Sequence, residues 1–348
     1  MIELAIIGTG GMAKHHAQQF QNIKGVRLAA ACDIDAKRVA DFAATHGIPR
    51  TYTDYRDLLR DKSIDAVANV TSDAFHAPIS IAALKAGKHV LCEKPLAVTY
   101  PEAKKMVEVA RKSGKIHMVQ FSYRSSAAWL KAQELVQSGK LGMVVHFEAA
   151  YLQSWLVSTA WGKWQDSPGW LWRLDSSKGS KGVLGDVGVH IIDFATAVAG
   201  DIRSVNCRLK TFDKIKGKKQ AGYTLDANDS AVLHCELDNG AIGVIHTTRY
   251  ASGFTNRVFL RVHGTRGALE IDLDKSYTTL RVSLGKDIHQ ARWREVECKV
   301  APNMFQRFIR SIQSGKNDQP DFARGAAVQK VLDACFASDA SGRTVQLG

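Results

Sequence analysis

The sequence predicts an α/β chain of two domains: a doubly wound parallel α/β domain over residues 1–122, then an α+β domain over 123–348 built on a large open, mostly antiparallel sheet. Three observations predict it. The first 120 residues alternate short β-branched apolar runs with helical patterns, whereas beyond about residue 140 longer alternating segments are separated by tight-turn signals. The chain of 348 residues, 45% hydrophobic and 23% charged, is also too long for one typical domain and too balanced for disorder.

The apolar runs Ile2 to Ile7, Val26 to Cys32, Ala66 to Val70, His89 to Cys92 and Ile116 to Gln120 are the expected parallel strands, joined by crossover helices. One helix can be bounded directly. Pro101 lies in its first turn, Ala103, Met106, Val107 and Ala110 form its buried stripe, and Gly114 stops it. In the second domain Ala231, Leu233, Cys235 and Leu237 alternate, Asn239-Gly240 supplies a type I′ turn, and Ile242 and Val244 resume the alternation. A second hairpin turns at Gly264 to Gly267, and a closing helix carries Val328, Val331, Leu332, Cys335 and Phe336. The last segment is expected to pack back on the first domain. The chain holds no internal repeat and no low-complexity linker.

Composition narrows the partners. The start MIELAIIGTGGMA has no basic residues and only a short apolar run, so it does not read as a signal peptide. No stretch approaches the ~20 apolar residues needed to span a bilayer. Six cysteines form no CxxC pair, and most sit in apolar runs, which points to a reduced, cytoplasmic setting. The net charge of +13 raises the question of nucleic acid, but almost half of the excess lies in Arg203, Arg208, Lys210, Lys214, Lys216, Lys218 and Lys219 against Asp213. With no nucleic-acid module and no aromatic beyond Phe212, the stretch Lys214 to Gly222 reads as a solvated hairpin tip, with a contact to an acidic partner or neighbouring subunit as the second reading.

Gly8-Thr9-Gly10-Gly11-Met12-Ala13 follows the first strand and opens a helix, matching GxGxxG/A. The glycines let backbone approach a pyrophosphate at the positive end of that helix, which makes the first domain a Rossmann dinucleotide-binding domain. Asp33 stands at the end of the next strand, 20 residues after Ala13, where a carboxylate accepts from both ribose hydroxyls and repels a 2′-phosphate. NAD is therefore expected. Lys37 and Arg38, read as a solvated helix face, leave NADP as the alternative.

The catalytic signals lie further on. In HVLCEKPL a buried strand ends in Glu93-Lys94-Pro95, which places Lys94 at the crevice where parallel sheets bind ligands, the alternative being a surface lysine paired with Glu93. Along Gly182 to Phe194 every side chain is apolar or absent except Asp186, His190 and Asp193. At ~100° per residue these three share one narrow stripe of an α-helix. Two carboxylates and an imidazole in so apolar a helix need partners. The stripe is open to three readings: a structural Asp/His network, a metal site, or acid/base catalysis with His190 taking a hydroxyl proton and an aspartate orienting it.

Together, the GxGxxA turn, HAPISIAALKAGKHVLCEKPLA and GDVGVHIID resemble the Gfo/Idh/MocA family of dehydrogenases, over nearly the whole chain. The resemblance implies that Lys94, Asp186 and His190 are the catalytic residues, with His190 the base and no metal involved. It implies cofactor contacts from Gly8, Gly10, Gly11, Met12, Ala13, Asp33, Thr71, His76, Glu93, Lys94, Trp172 and Arg173. Ser72 stands where the family's TPxxxH segment carries proline. Substrate contacts are implied for Lys94, Tyr123, Arg124, Asp186, His190 and Asp193. The implied activity is reversible NAD-dependent oxidation of a secondary alcohol in a sugar, sugar derivative or inositol. An NADP-preferring keto-sugar reductase and a non-catalytic regulator that binds dinucleotide and sugar are the alternatives. Five of the seven tryptophans fall between Trp155 and Trp172, some for core packing and some as flat faces for a sugar ring. The open sheet needs its second face covered, so a homo-oligomer, dimer or tetramer, is expected, with a small-molecule substrate and neither nucleic acid nor membrane as partner.

Overall fold

The computed structural model describes residues 1–347, in two compact units. The first comprises Met1–Ser122 together with Pro302–Gln329; the second comprises Tyr123–Ala301 and the residues from Lys330 onward.

The first unit is a six-stranded, all-parallel sheet: β1 (Ile2–Ile7), β2 (Val26–Cys32), β3 (Arg50–Tyr52), β4 (Ala66–Asn69), β5 (His89–Cys92) and β6 (His117–Val119), in the order β3-β2-β1-β4-β5-β6. That is the order of a Rossmann sheet, with its crevice where the sequence of strands reverses beside β1. The crossovers are α1 (Gly11–Gln21), α2 (Ala36–His46), α3 (Tyr55–Arg60), α4 (Asp73–Lys85) and α5 (Tyr100–Ser113). Helix α5 begins in a capping box between Thr99 and Glu102 and stops at Gly114, whose φ of 62° is the left-handed turn that favours glycine. Its buried residues are Ala103, Met106 and Ala110, with Val107 at the margin of the stripe. Strand β3, three residues of Arg-Thr-Tyr, carried too little apolar signal to stand out in the sequence. From the returning segment, Met304, Phe305, Phe308 and Ile309 enter one core with Phe20 of α1 and Leu4 and Ile6 of β1.

The second unit is built on a nine-stranded sheet. Its strands are β7 (Val144–Gln153), β8 (Ile202–Lys210), β11 (Ser230–Leu237), β12 (Ile242–Thr248), β13 (Asn256–Gly264), β14 (Gly267–Asp272), β15 (Thr279–Leu284), β16 (Arg294–Glu297) and β17 (Val345–Gln346). They lie in the order β16-β15-β14-β13-β7-β12-β11-β8-β17, and β7 with β12 is the one parallel pair among them. Between β8 and β11 a small separate hairpin forms from β9 (Lys219–Gln220) and β10 (Tyr223–Thr224). The helices are α6 (Ala127–Gln137), the single turns α7 (Pro168–Leu171) and α9 (Lys286–His289), and α8 (Val189–Ala199); α10 (Met304–Ser314) belongs to the first unit, and α11 (Phe322–Ser341) begins in the first and ends in the second. Trp129 Nε1 donates to the Phe194 carbonyl at 2.9 Å, tying α6 to α8.

Both hairpins form where the sequence places them, but the first turns differently. Type I′ needs positive φ at both Asn239 and Gly240, and only Gly240 has it, at 83°. The Gly240 amide donates to the Leu237 carbonyl at 2.9 Å, so Asp238-Asn239 make the turn and Gly240 follows in the left-handed region. Asn239 instead donates to the Ala199 carbonyl at the end of α8.

The basic stretch is not a freely solvated tip. Lys214 has a buried side chain whose ammonium lies 2.6 Å from Asp229 Oδ2, itself fully buried. Lys218 pairs with Asp213 at 2.9 Å, and only Lys216, Lys218 and Lys219 are exposed among its lysines from 214 onward. A fixed internal partner took Lys214 out of the water.

Candidate active site

The glycine turn is shaped by what lies against it. Gly8 has φ 90°, and a Cβ there would come within 2.8 Å of the Thr71 amide and the Val70 carbonyl, both backbone atoms. A Cβ on Gly10 or Gly11 would meet nothing within 4 Å. Gly10 caps α1 without a side-chain acceptor; the Ala13 amide donates to the Gly10 carbonyl at 3.1 Å, and no capping side chain occupies the start of the helix, as an anion site requires. Ala13 is fully buried against the sheet and Met12 is exposed. The Asp33 carboxylate accepts from the Thr9 amide at 2.8 Å, the Thr9 hydroxyl at 2.9 Å and the Asp35 amide at 3.1 Å. Arg38 also grips it, Nε donating to Oδ2 at 3.1 Å and Nη2 to Oδ1. Burial would raise the Asp33 carboxyl, but the bonds from Arg38, Thr9 and Asp35 outweigh it and lower it to about 2. Lys37 and Arg38 both lie on an exposed helix face, as expected: Lys37 pairs with Asp41 in solvent, while Arg38 directs its guanidinium at Asp33. An open turn, an uncapped helix start and an ionised carboxylate at the next strand end fit a dinucleotide.

At the end of β5, Glu93 is buried and its Oε1 lies 2.8 Å from Nε2 of the fully buried His16. The Lys94 amide donates to Glu93 Oε2 at 3.2 Å. Burial would raise the Glu93 carboxyl, yet the His16 bond and the charges of His16 and Lys94 bring it down to about 2. The Lys94-Pro95 peptide is cis. His76 is buried, with Nδ1 2.6 Å from the Pro95 carbonyl and Nε2 3.0 Å from the Thr71 carbonyl, so it braces the Glu-Lys-Pro turn against the Thr71 turn. Thr71 in turn donates its hydroxyl to Asn69 Oδ1 at 2.7 Å. Cofactor contact was expected of His76; its two ring nitrogens are instead directed at backbone carbonyls.

In the second unit the segment Leu184–Gly188 is a π-helical turn, followed by α8. The wider turn breaks the single α-helical stripe expected for Asp186, His190 and Asp193. Between residues 182 and 196 only Asp186 and His190 remain partly exposed. Asp193 is corrected: it is 1% exposed, and both its oxygens accept from the buried Arg124, Nε at 2.7 Å and Nη2 at 2.8 Å. Neither Asp193 nor Arg124 offers a charge to a substrate. They neutralise each other beneath Trp129, whose ring the Arg124 guanidinium faces at 4.9 Å.

Asp186 Oδ2 lies 3.2 Å from Arg173 Nε and 3.2 Å from Arg249 Nη2. The His190 ring stands against Tyr123 and Tyr151, with centroids 5.2 and 6.3 Å away. The two phenols and Asn256 close a cycle: Tyr123 to Tyr151 at 2.5 Å, Tyr151 to Asn256 Oδ1 at 2.8 Å, Asn256 Nδ2 to Tyr123 at 3.0 Å. Burial, then Tyr123, pushes the Tyr151 phenol well above its ordinary value, so it stays a neutral hydroxyl. Among the described residues no group of three or more His, Cys, Asp or Glu is placed to hold a metal ion.

The tryptophans divide. Trp155 and Trp164 are buried with Leu171, Leu174 and Leu225. Trp170 packs on Trp155 at 5.0 Å and on Trp161 at 5.9 Å. Trp161 and Trp172 are 39% and 36% exposed, and the Arg173 guanidinium sits 4.8 Å from the Trp172 ring. His16, Tyr151, Arg249 and Asn256 escaped the sequence reading. The available signals were a histidine on the buried face of α1 and an arginine closing the apolar strand β12.

A family model described as "Oxidoreductase family, NAD-binding Rossmann fold" matches residues 2–121, and one described as "GFO/IDH/MocA C-terminal domain" matches 129–270. The chain belongs to the Gfo/Idh/MocA family. Within this family it is 29% identical to the levoglucosan dehydrogenase of Pseudarthrobacter phenanthrenivorans, over 97% of this chain and 96% of that protein. A solved levoglucosan dehydrogenase in complex with NADH and levoglucosan superposes with a TM-score of 0.88 at 27% identity, covering 99% of both chains. An oxidoreductase domain protein from Kribbella flavida gives a TM-score of 0.89 at 33% identity, over 100% of this chain and 99% of that one. As a Gfo/Idh/MocA protein the chain is an oxidoreductase with an NAD-binding Rossmann domain.

Proposed function

We propose that the protein is an NAD-dependent dehydrogenase that oxidises a secondary alcohol of a sugar, sugar derivative or inositol, with Lys94, Asp186 and His190 as its catalytic residues. One observation carries the reading: of a fifteen-residue apolar run from 182 to 196, only Asp186 and His190 are left partly exposed. The name of the levoglucosan relative, an anhydrosugar dehydrogenase, supports the substrate class.

NAD, when bound by the glycine turn and Asp33, supplies the hydride acceptor. His190 accepts the hydroxyl proton, and the Asp186 carboxylate balances the imidazolium that results. Lys94 donates a hydrogen bond to the oxygen as its charge grows. Trp172 and Arg173 border the nicotinamide end, and Tyr123, hydrogen-bonded in its cycle with Tyr151 and Asn256, orients a substrate hydroxyl. The exposed indoles Trp161 and Trp172 offer flat faces to a sugar ring.

The test is NADH formation across anhydrosugars, glycosides, aldoses and inositols, followed by Lys94→Ala and His190→Ala on the best substrate. Each substitution should lower kcat by roughly 10² to 10⁴ while NADH still binds. Near-normal turnover in either variant overturns its assignment, and a blank screen with tight NADH binding overturns the dehydrogenase reading.

We also propose a homo-oligomer formed through the open sheet, where Val232 and Ile242 are 45% and 59% exposed on one face. A monomer in sedimentation at micromolar concentration overturns that. A cytoplasmic location is supported by six thiols that are all free among the described residues. No helix among them is long and apolar enough to cross a membrane.

A further inference from the structure

Arg249 is a costly residue in its setting. It is fully buried, its guanidinium lies 4.9 Å from the centre of the Trp155 ring, and Nε has no hydrogen-bond partner among the described residues. Burial pulls the guanidinium down from its ordinary value against the pull of Asp186 and Asp229. A neutral side chain of similar bulk on Trp155 would fold the site as well, since buried ion pairs add little net stability over packed apolar groups. What only a guanidinium supplies is a rigid fork. Here Nη1 donates to the Arg173 carbonyl at 3.2 Å and Nη2 donates to Asp186 Oδ2 at 3.2 Å.

Behind Arg249 stands a second buried pair. Its own amide donates to the Asp229 carbonyl at 3.0 Å, and the Asp229 carboxylate accepts from Lys214 at 2.6 Å and from the Phe212 amide at 2.9 Å. Lys214, Asp229, Arg249, Asp186 and Arg173 therefore alternate in sign. Side-chain exposure along them runs 1%, 0%, 0%, 19% and 29%, so the series leads from the interior to a carboxylate at the surface. Arg173 is the partly exposed partner of Asp186 and Arg249 the fully buried one.

We propose that Arg249 is a positioning residue for the reaction, its buried fork holding the Asp186 carboxylate in place with the Lys214-Asp229 pair as backing. The proposal rests on the reading of Asp186 and His190 as the catalytic pair. It also gives the basic stretch an internal task, with Lys214 as the far end of the series.

The experiment compares Arg249→Met, Arg249→Lys and Asp186→Asn, using whichever of levoglucosan, methyl D-glucoside and myo-inositol the parent protein oxidises fastest. Arg249→Met should lower kcat by roughly 10²-fold with KM within about threefold, because a misplaced Asp186 harms the transition state more than binding. Arg249→Lys should recover about tenfold of that loss, since the charge returns without the fork. A merely structural role would lower the urea midpoint and leave this split absent. A kcat in Arg249→Met within about threefold of parent, or a loss confined to KM, overturns the proposal. Should Arg249→Met not fold, Arg249→Lys carries the test: kcat about tenfold down at unchanged KM supports it, and parent-like kcat overturns it. If Asp186→Asn itself keeps parent-like turnover, the reading of the site fails. If Asp186→Asn is crippled while Arg249→Met is not, only the positioning role fails.

Discussion

His16 Nε2 lies 2.8 Å from Glu93 Oε1, which joins the second turn of the dinucleotide helix to the residue before Lys94. The contact spans 77 residues of sequence and is buried at both ends. Glu93 also accepts the Lys94 amide, so a single carboxylate sets the register of the cofactor helix and the lysine turn. Removing one partner strands the other. His16→Leu should cost about 3 kcal/mol in urea unfolding, and the double variant His16→Leu/Glu93→Leu should cost less than the sum of the singles. Additive singles would show that the two groups do not depend on each other.

Acid should weaken the first unit. Asp33, Asp61 and Glu93 each have carboxyls lowered to about 2 in the folded chain, against ordinary values near 4. A carboxyl depressed by folding stabilises fully above its unfolded value, and that contribution disappears as pH falls from about 4.5 toward 2. The urea midpoint should fall steeply across that window, and Asp33→Asn and Glu93→Gln should each flatten the slope. An unchanged slope in both would contradict the assignment.

Two glycines of one turn should separate fold from binding. Gly8→Ala drives a Cβ to within 2.8 Å of backbone atoms at a φ of 90°, so it should lower stability by at least about 2 kcal/mol. Gly11→Ala meets nothing within 4 Å and adds a better helix former, so the melting temperature should hold or rise. With the pyrophosphate seated at this helix start, the added methyl would crowd it, and the Kd for NADH should rise by about tenfold or more. Tight NADH binding by Gly11→Ala would place the phosphates elsewhere.

The lysines of the basic stretch should behave as two groups. Lys214→Met leaves Asp229 as a buried carboxylate without its cation and should cost about 3 to 5 kcal/mol in urea unfolding. Neutralising Lys216, Lys218 and Lys219 together should change stability by less than about 1 kcal/mol and should remove any retention on heparin. Loss of heparin retention in Lys214→Met alone, with the fold intact, would reverse this division.

Local pattern carried most of the fold. The strand, glycine turn and helix at residues 2 to 21, the Glu-Lys-Pro strand end and the closing helix each declare themselves within about a dozen residues, because period and turn chemistry are local properties. Strand β3 did not, having one intermediate, one exposed and one intermediate side chain and no alternation to detect. The candidate site was legible only in its members. That Asp186 meets Arg249 across 63 residues, and Arg124 meets Asp193 across 69, follows from how strands and helices stack, which periodicity does not report. The π-helical turn is a subtler case. An extra residue in the turn leaves the composition of GDVGVHIID unchanged while moving Asp193 off the line shared by Asp186 and His190.

The first unit borrows Met304, Phe305, Phe308 and Ile309 to finish the core begun by Leu4, Ile6 and Phe20. On a ribosome those closing residues emerge about 300 positions after the strand they cover. The dinucleotide sheet must therefore wait, apolar flank uncovered, while strands β7 to β16 of the second sheet are synthesised. Its vulnerable interval is set by translation time as much as by folding rate. A chain released before residue 304 would expose that flank permanently, so premature termination between residues 123 and 301 should yield insoluble fragments rather than a working nucleotide-binding half.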